Sequence, residues 1–244
     1  HNAKAVLKAA AVGTDPARMF MDMGRIPASE LKSAMESSEL DTLPGLLPEA
    51  VAEAKNVLDI TRDPQLSDIT LDGWMYRDMA RTAERTGSAF LRGYVAVQVD
   101  AVNLRTAVRT LRMGKGADFV LGALLEGGDL LEGGETETAA LLAVAENGGS
   151  GLAELYAPTR FAAAAEAGAA ALKGGTLTEF EKQCDDAVTE YLSGAQMVPF
   201  GEAPLLAYLA ARETEYTNLR IVLMGRAAGL DADTIRSRLR RGIG

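Results

Sequence analysis

The sequence predicts an all-α protein built on a threefold internal helical repeat whose first copy is incomplete. Three observations carry that expectation. Alanine and leucine abound while aromatics are only 5% of the 244 residues, a balance that favours helix-on-helix packing over sheet. No segment alternates apolar and polar residues well enough to read as a strand. Third, Asn2, Asn103 and Asn218 each have a basic residue two positions on (Lys4, Arg105, Arg220) and a glycine eleven positions on (Gly13, Gly114, Gly229). Asn56 and Asn147 show neither feature. Basic residues and glycines are each about a tenth of the chain. Six such coincidences by chance are on the order of one in a million. A helical unit recurring about every hundred residues is the signature of a ring, funnel or solenoid.

The elements follow in order. The first repeated helix runs from Asn2 towards Gly13, and Pro27 with Glu30 marks the start of the next. Pro48 opens a helix over 49–60, and Asp63-Pro64 interrupts before a helix through Trp74 and Tyr76 that stops at Gly87. Ser88 caps a proline-free helix running to Gly114, roughly 35–40 Å long at 1.5 Å per residue. Gly127-Gly128-Asp129 and Glu132-Gly133-Gly134 read as loops, 135–146 as a helix and Asn147–Gly151 as its break. An alanine-rich helix over 161–173 ends at Gly174-Gly175, and Thr176 or Thr178 caps the next, which reaches Leu192. Pro204 begins a second long helix ending at Gly229, and 231–241 is the last helix.

On a helical wheel, the positions one, four, five and eight after each asparagine share a face. They are Ala3, Val6, Leu7 and Ala10; then Leu104, Ala107, Val108 and Leu111; then Leu219, Val222, Leu223 and Arg226. The asparagine lies at the edge of this apolar stripe, and the glycine occupies the position where a left-handed residue lets a helix stop. Three residues before the asparagine, Asp100 and Glu215 fall inside the stripe, where a carboxylate must be paired or hydrogen-bonded. They are expected either to fix helix packing or to line a polar seam at a cavity or interface. The basic residues two positions on point away from the stripe, with a solvated face expected. Arg105 and Arg109 form a basic edge four residues apart, as do Lys4 and Lys8, whereas Arg220 is followed by Met224.

The formal charge of −9 argues against a nucleic-acid footprint. One histidine (His1) and one cysteine (Cys184) leave no material for a zinc triad, a histidine nucleophile relay or a disulfide framework. No apolar run is long enough to span a membrane and the start does not read as a signal peptide, so a cytoplasmic, acidic helical protein without a cofactor is expected. Gly114-Lys115-Gly116 lacks the spacing and the following hydroxyl of a phosphate loop. Asp185-Asp186 with Glu190 is one acidic cluster where diphosphate–Mg²⁺ sites use two, and charged helix surface is the expected reading. Trp74 and Tyr76 read as packing anchors. Cys184 sits among carboxylates and is expected to be unreactive. Arg236, Arg238, Arg240 and Arg241 suit a helix C-terminus, with anionic lipid or an acidic partner as the alternative.

Ser88–Gly114 reads SAFLRGYVAVQVDAVNLRTAVRTLRMG and Gly201–Gly229 reads GEAPLLAYLAARETEYTNLRIVLMGRAAG. Their carboxylate-x-x-Asn-Leu-Arg core, with Val198-Pro199-Phe200-Gly201 ahead of the second, resembles the C subunits of the archaeal and bacterial V-type (A-type) ATP synthases, the counterparts of the eukaryotic d subunit. HNAKAVLKA at the start and GRIPASEL at Gly24–Leu31 resemble the same family, and the resemblance weakens across Gly127–Gly175. It implies a funnel-like bundle of three similar units, here residues 1–47 as a remnant, 48–157 and 158–244, with the upstream half of the first unit expected to be missing. It further implies a non-catalytic central-stalk rotor component. Such a component lies peripherally on the cytoplasmic face of the membrane proteolipid ring, seats the axle formed by the D and F subunits, and couples ATP chemistry to H⁺ or Na⁺ movement. The alternative is a helical-repeat scaffold or adaptor unrelated to ion pumping; a helical metal-dependent enzyme is the third reading.

Overall fold

A computed structural model describes residues 1–37, 39–128 and 137–243, and by packing they form two compact units, His1–Thr82 and Ala83–Gly244. The first holds α1 (Asn2–Val12), α2 (Ala28–Ser37), α3 (Leu47–Thr61) and most of α4 (Pro64–Thr86). Proline near the start of α3 sits where its missing N–H has no intrahelical acceptor to lose. Arg62 closes that helix in a left-handed conformation (φ 56°) and donates its N–H to Leu58 O. Asp63 then caps the turn into α4, accepting from the Gln65 N–H at 2.8 Å, and the buried Ser67 hydroxyl donates to Ala54 O at 2.9 Å. Ala3 and Leu7 of α1 join Leu31 and Ala34 of α2, Val51, Ala54 and Leu58 of α3 and Leu71 of α4 in one core. Trp74 packs on its rim and donates Nε1–H to Glu53 at 2.7 Å, an anchoring role.

The second unit is organised around α5 (Ala89–Arg112). It is followed by α6 (Ala117–Ala123), α7 (Glu137–Glu146), α8 (Leu152–Tyr156), α9 (Ala162–Leu172), α10 (Leu177–Ser193), α11 (Glu202–Ala227) and α12 (Ala232–Arg238). Ser88 caps α5, its Oγ accepting from Leu91 N–H at 3.1 Å while donating to the Glu202 carboxylate at the head of α11. That hydroxyl is the main reason the Glu202 carboxyl is held below the usual range. Leu104, Ala107 and Val108 of α5 are fully buried against Ala164 and Ala165 of α9 and Phe180 and Cys184 of α10, with Tyr156 and Phe161 closing the cluster. Burying each of the two phenylalanines contributes about 2–3 kcal/mol. Gly168 permits the α9–α5 approach, since a Cβ there would lie 2.9 Å from Val108 Cγ2.

Several expectations are corrected. α11 begins at Glu202, so Pro204 is its third residue, still within the turn whose N–H groups have no intrahelical partner. α12 ends at Arg238, which leaves Arg240 and Arg241 beyond the helix. The short helices α6 and α8 were not expected; five to seven residues give too little periodicity to read. The expected loops at Asp129 and 132–134, and the expected helix start at 135, lie outside the described residues. Among the described residues there is no strand, and no helix is long and apolar enough to cross a membrane.

Candidate functional site: three asparagine clamps and their charged flanks

The three asparagines share one local geometry. Asn103 Nδ2 donates to Leu125 O at 2.9 Å, and the Leu125 N–H donates back to Asn103 Oδ1 at 2.7 Å. Asn2 makes the same pair with Met21 (2.8 and 3.0 Å), and Asn218 with Arg240 (3.0 and 2.8 Å). A carboxamide carries a donor and an acceptor side by side, so it can satisfy both groups of one peptide as a neighbouring strand would. The segment between is also repeated. At Gly13, Gly114 and Gly229 the φ values are 68°, 73° and 73°, with open space where a Cβ would be. These glycines are therefore required by backbone conformation, not by crowding. Each donates to the carbonyl three residues back, and the residue after it donates to the carbonyl five residues back, the double bond of a left-handed helix stop. A short helical turn follows, headed by Asp15, Gly116 or Asp231. It ends in an extended residue (Phe20, Leu124, Leu239), which delivers the next peptide to the asparagine.

The basic flanks meet acidic partners spaced to match. Lys4 pairs with Asp72 at 2.5 Å and Lys8 with Asp68 on α4. Arg105 pairs with Glu181 (3.1 Å) and Asp185 on α10, and Arg109 with Glu181 (2.6 Å). In both cases two cations four residues apart meet two carboxylates four residues apart on an antiparallel helix. The expectation of a solvated face is thereby corrected for Arg105, which is half-buried. Arg220 is exposed and, among the described residues, has no ion-pair or hydrogen-bond partner. Asp185 also accepts from Arg240 Nε at 2.6 Å, and Asp186 from the Arg241 N–H at 2.7 Å. The acidic run on α10 therefore holds the C-terminal segment, which corrects the reading of Asp185-Asp186 as mere surface. It likewise corrects that of Arg240 as a helix-end cation.

The stripe is uneven. Ala3, Val6 and Leu7 are buried but Ala10 is exposed; Leu104, Ala107 and Val108 are buried; Leu219, Leu223 and Arg226 are exposed. Asn103, placed at the stripe's edge by the wheel, is fully buried because α6 and the Leu125 segment fold over it. Asp100 is also buried and engaged in a polar interaction, whereas Glu215 is exposed and bound to Arg212 of its own helix. Cys184 is fully buried, and burial pushes its thiol up to about 12, Arg105 opposing and the nearby carboxylates adding less. Beside the Asn2 clamp, a cavity of about 450 Å³ is lined by Met21, Ile26, Leu71, Trp74, Asp72 and Asp78. Lys4 and Arg25 engage those two carboxylates. Among the described residues no group of three His, Cys, Asp or Glu could hold a metal ion. The clamped peptides at Met21, Leu125 and Arg240 escaped sequence reasoning because a backbone partner leaves no side-chain signature. The acid pairs Asp68/Asp72 and Glu181/Asp185 were visible as four-residue spacings but pointed to no target.

Capping, clamping and ion pairing across helices are the chemistry of the recurring residues. They define an all-α protein assembled from repeated helix–stop–clamp motifs. The chain belongs to the ATP synthase (C/AC39) subunit family, whose model matches residues 1–238. It is 22% identical over 241 residues to the C subunit of the V-type sodium ATPase of Enterococcus hirae, a match covering 99% of this chain and 71% of that protein. It is 33% identical over 149 residues to the C subunit of the A-type ATP synthase of Haloferax volcanii (61% and 41%). With the C subunit of the V-type ATP synthase of Thermus thermophilus the identity is 27% over 235 residues (91% and 65%).

Proposed function

We propose that this chain is a non-catalytic rotor component in the central stalk of a V-type/A-type ATP synthase. In this reading it couples the axle formed by the D and F subunits to the membrane proteolipid ring during ATP-linked ion transport. It lies on the cytoplasmic face, with residues 1–47, 48–157 and 158–244 as three similar helical repeat units. The family match over residues 1–238 carries the proposal. The recurrent clamp supports it: a collar around a rotating axle needs rigid, repeated helical units more than it needs a reaction centre. Asn2, Lys4, Gly13, Asp100, Asn103, Arg105, Gly114, Glu215, Asn218, Arg220 and Gly229 are proposed as structural residues of that repeat, not as catalytic groups.

The test is co-purification. The tagged chain is mixed with a D–F heterodimer and, separately, with detergent-solubilised proteolipid ring, and ATP hydrolysis of the chain alone is assayed. The expected result is a stable complex with each and no turnover. Failure to retain both, with the helical fold intact by circular dichroism, overturns the proposal.

A further inference from the structure

Helix α11 presents to solvent the seam that its counterpart α5 buries. Counting from the asparagines, the residues at −13, −9, −6, −2, +1 and +5 are Phe90, Tyr94, Val97, Ala101, Leu104 and Val108 in α5. In α11 they are Leu205, Leu209, Arg212, Tyr216, Leu219 and Leu223. The alternating spacing of four and three is that of a helix seam which keeps facing one partner helix. In α5 the last four are at most 6% exposed, and Phe90 and Tyr94 pack against the same core. In α11 the five apolar residues are 51–67% exposed, over about 27 Å of helix. Tyr208 and Met224 extend the patch. So long an apolar stripe on one face marks an interaction surface.

What covers such a seam is shown twice in the molecule. The α1 residues at +1 and +5 are buried with α3 and α4, and the α5 residues with α9 and α10. In both cases the helix alongside, α4 or α10, brings carboxylates four residues apart to the basic edge. On α11, Arg212 is already neutralised by Glu215 and lies 5.5 Å over the Tyr216 ring, whereas Arg220 at the edge has no ion-pair partner among the described residues. We infer that α11 is a docking seam for an acidic amphipathic helix of the α4/α10 type, carrying a carboxylate opposite Arg220 and an apolar residue opposite Met224. A second copy of this chain does not supply it, because both of its matching acidic helices are engaged by its own Lys4/Lys8 and Arg105/Arg109. Anionic lipid fits poorly, since Glu213 and Glu215 flank the exposed α11 seam. The occupant is read from packing and charge, without the rotary assignment.

The probe is a fluorescent peptide of residues 177–193 carrying Glu181→Leu, so that an apolar residue faces Met224. A staple between positions 179 and 183, which share an exposed side-chain hydrogen bond on the face away from the seam, holds it helical. Titrated with the full chain, it is expected to bind at micromolar concentrations. Arg220→Glu should weaken binding at least tenfold, the additional peptide change Asp185→Lys should restore it to Arg220→Glu, and Leu219→Asp with Leu223→Asp should abolish it. Circular dichroism and melting confirm that these exposed substitutions leave the fold intact. Absence of binding, or indifference to Arg220→Glu, overturns the inference. So does self-association in sedimentation, or flotation with phosphatidylglycerol vesicles, that the double aspartate variant abolishes, because the seam's occupant would then be a second copy or lipid.

Discussion

Replacing Asn103 by alanine removes the most deeply placed of the three clamps. Its amide is fully buried and makes bonds of 2.9 and 2.7 Å to the Leu125 peptide, which is itself buried. Alanine leaves one N–H and one C=O without that partner in a site too enclosed for easy hydration. An orphaned buried polar group costs about 1–3 kcal/mol, so the pair amounts to about 2–6 kcal/mol. The Asn2 bonds are solvent-exposed and those of Asn218 part-buried, so water can replace them at lower cost. The expected order of destabilisation is Asn103→Ala, then Asn218→Ala, then Asn2→Ala. Urea unfolding measures it, with the first two read on the transition of the second unit and Asn2 on that of the first. For a domain of this size the Asn103 variant should melt about 5–15 °C lower. Asn103→Asp should fare no better, since a carboxylate can accept from the Leu125 N–H but cannot donate to its carbonyl. A loss below about 1 kcal/mol for Asn103→Ala, or equal losses at all three sites, would refute the reasoning that burial sets each clamp's contribution.

Four further outcomes follow from burial and pairing. Arg105→Ala should destabilise by about 1–2 kcal/mol, tempered because Glu181 keeps Arg109 and Asp185 keeps Arg240, while Arg220→Ala should stay within about 0.5 kcal/mol; chemical denaturation of the two variants checks the contrast. Asp100→Ala should cost about 1–3 kcal/mol, and Glu215→Ala should leave the melting temperature unchanged within error, although the sequence places both in the same stripe. The buried Cys184 thiol should resist iodoacetamide at pH 8 until the chain is unfolded. Because its pKa is raised from 9.0 to about 12, the unfolded chain holds fewer protons between those values. Stability should therefore fall as the pH rises through that window, and urea melts at stepped pH should show the fall flattened in Cys184→Ala.

The helices were legible wherever a local signal marked their ends. Ser88 and Gly114 bracket α5 because a hydroxyl cap and a left-handed stop are encoded at single positions. The recurrence of Asn, a basic residue and Gly was equally plain. Burial was not. The wheel assigns Leu104 and Leu219 the same face, yet one is fully buried and the other half-exposed, because burial depends on a partner helix far away in sequence. The pairing of Arg105 with Glu181 and Asp185 joins residues about eighty positions apart, and no periodicity reports that.

The clamp's chemistry explains why so little else recurs among the three copies. Its partner is a peptide group, so Met21, Leu125 and Arg240 can differ in size and charge without altering either bond. The glycine is constrained by φ alone, and the head of the short turn can be an aspartate or a glycine. Only the carboxamide cannot be exchanged, since serine is too short and aspartate lacks the donor. Selection for this geometry therefore acts on two positions eleven residues apart and leaves the intervening helix free to diverge. The same economy lets one motif serve an exposed site at Asn2 and a fully buried one at Asn103. What distinguishes the copies is the surface each helix turns outward, and there α11 differs from α1 and α5 in leaving both its apolar seam and its cation at +2 uncovered.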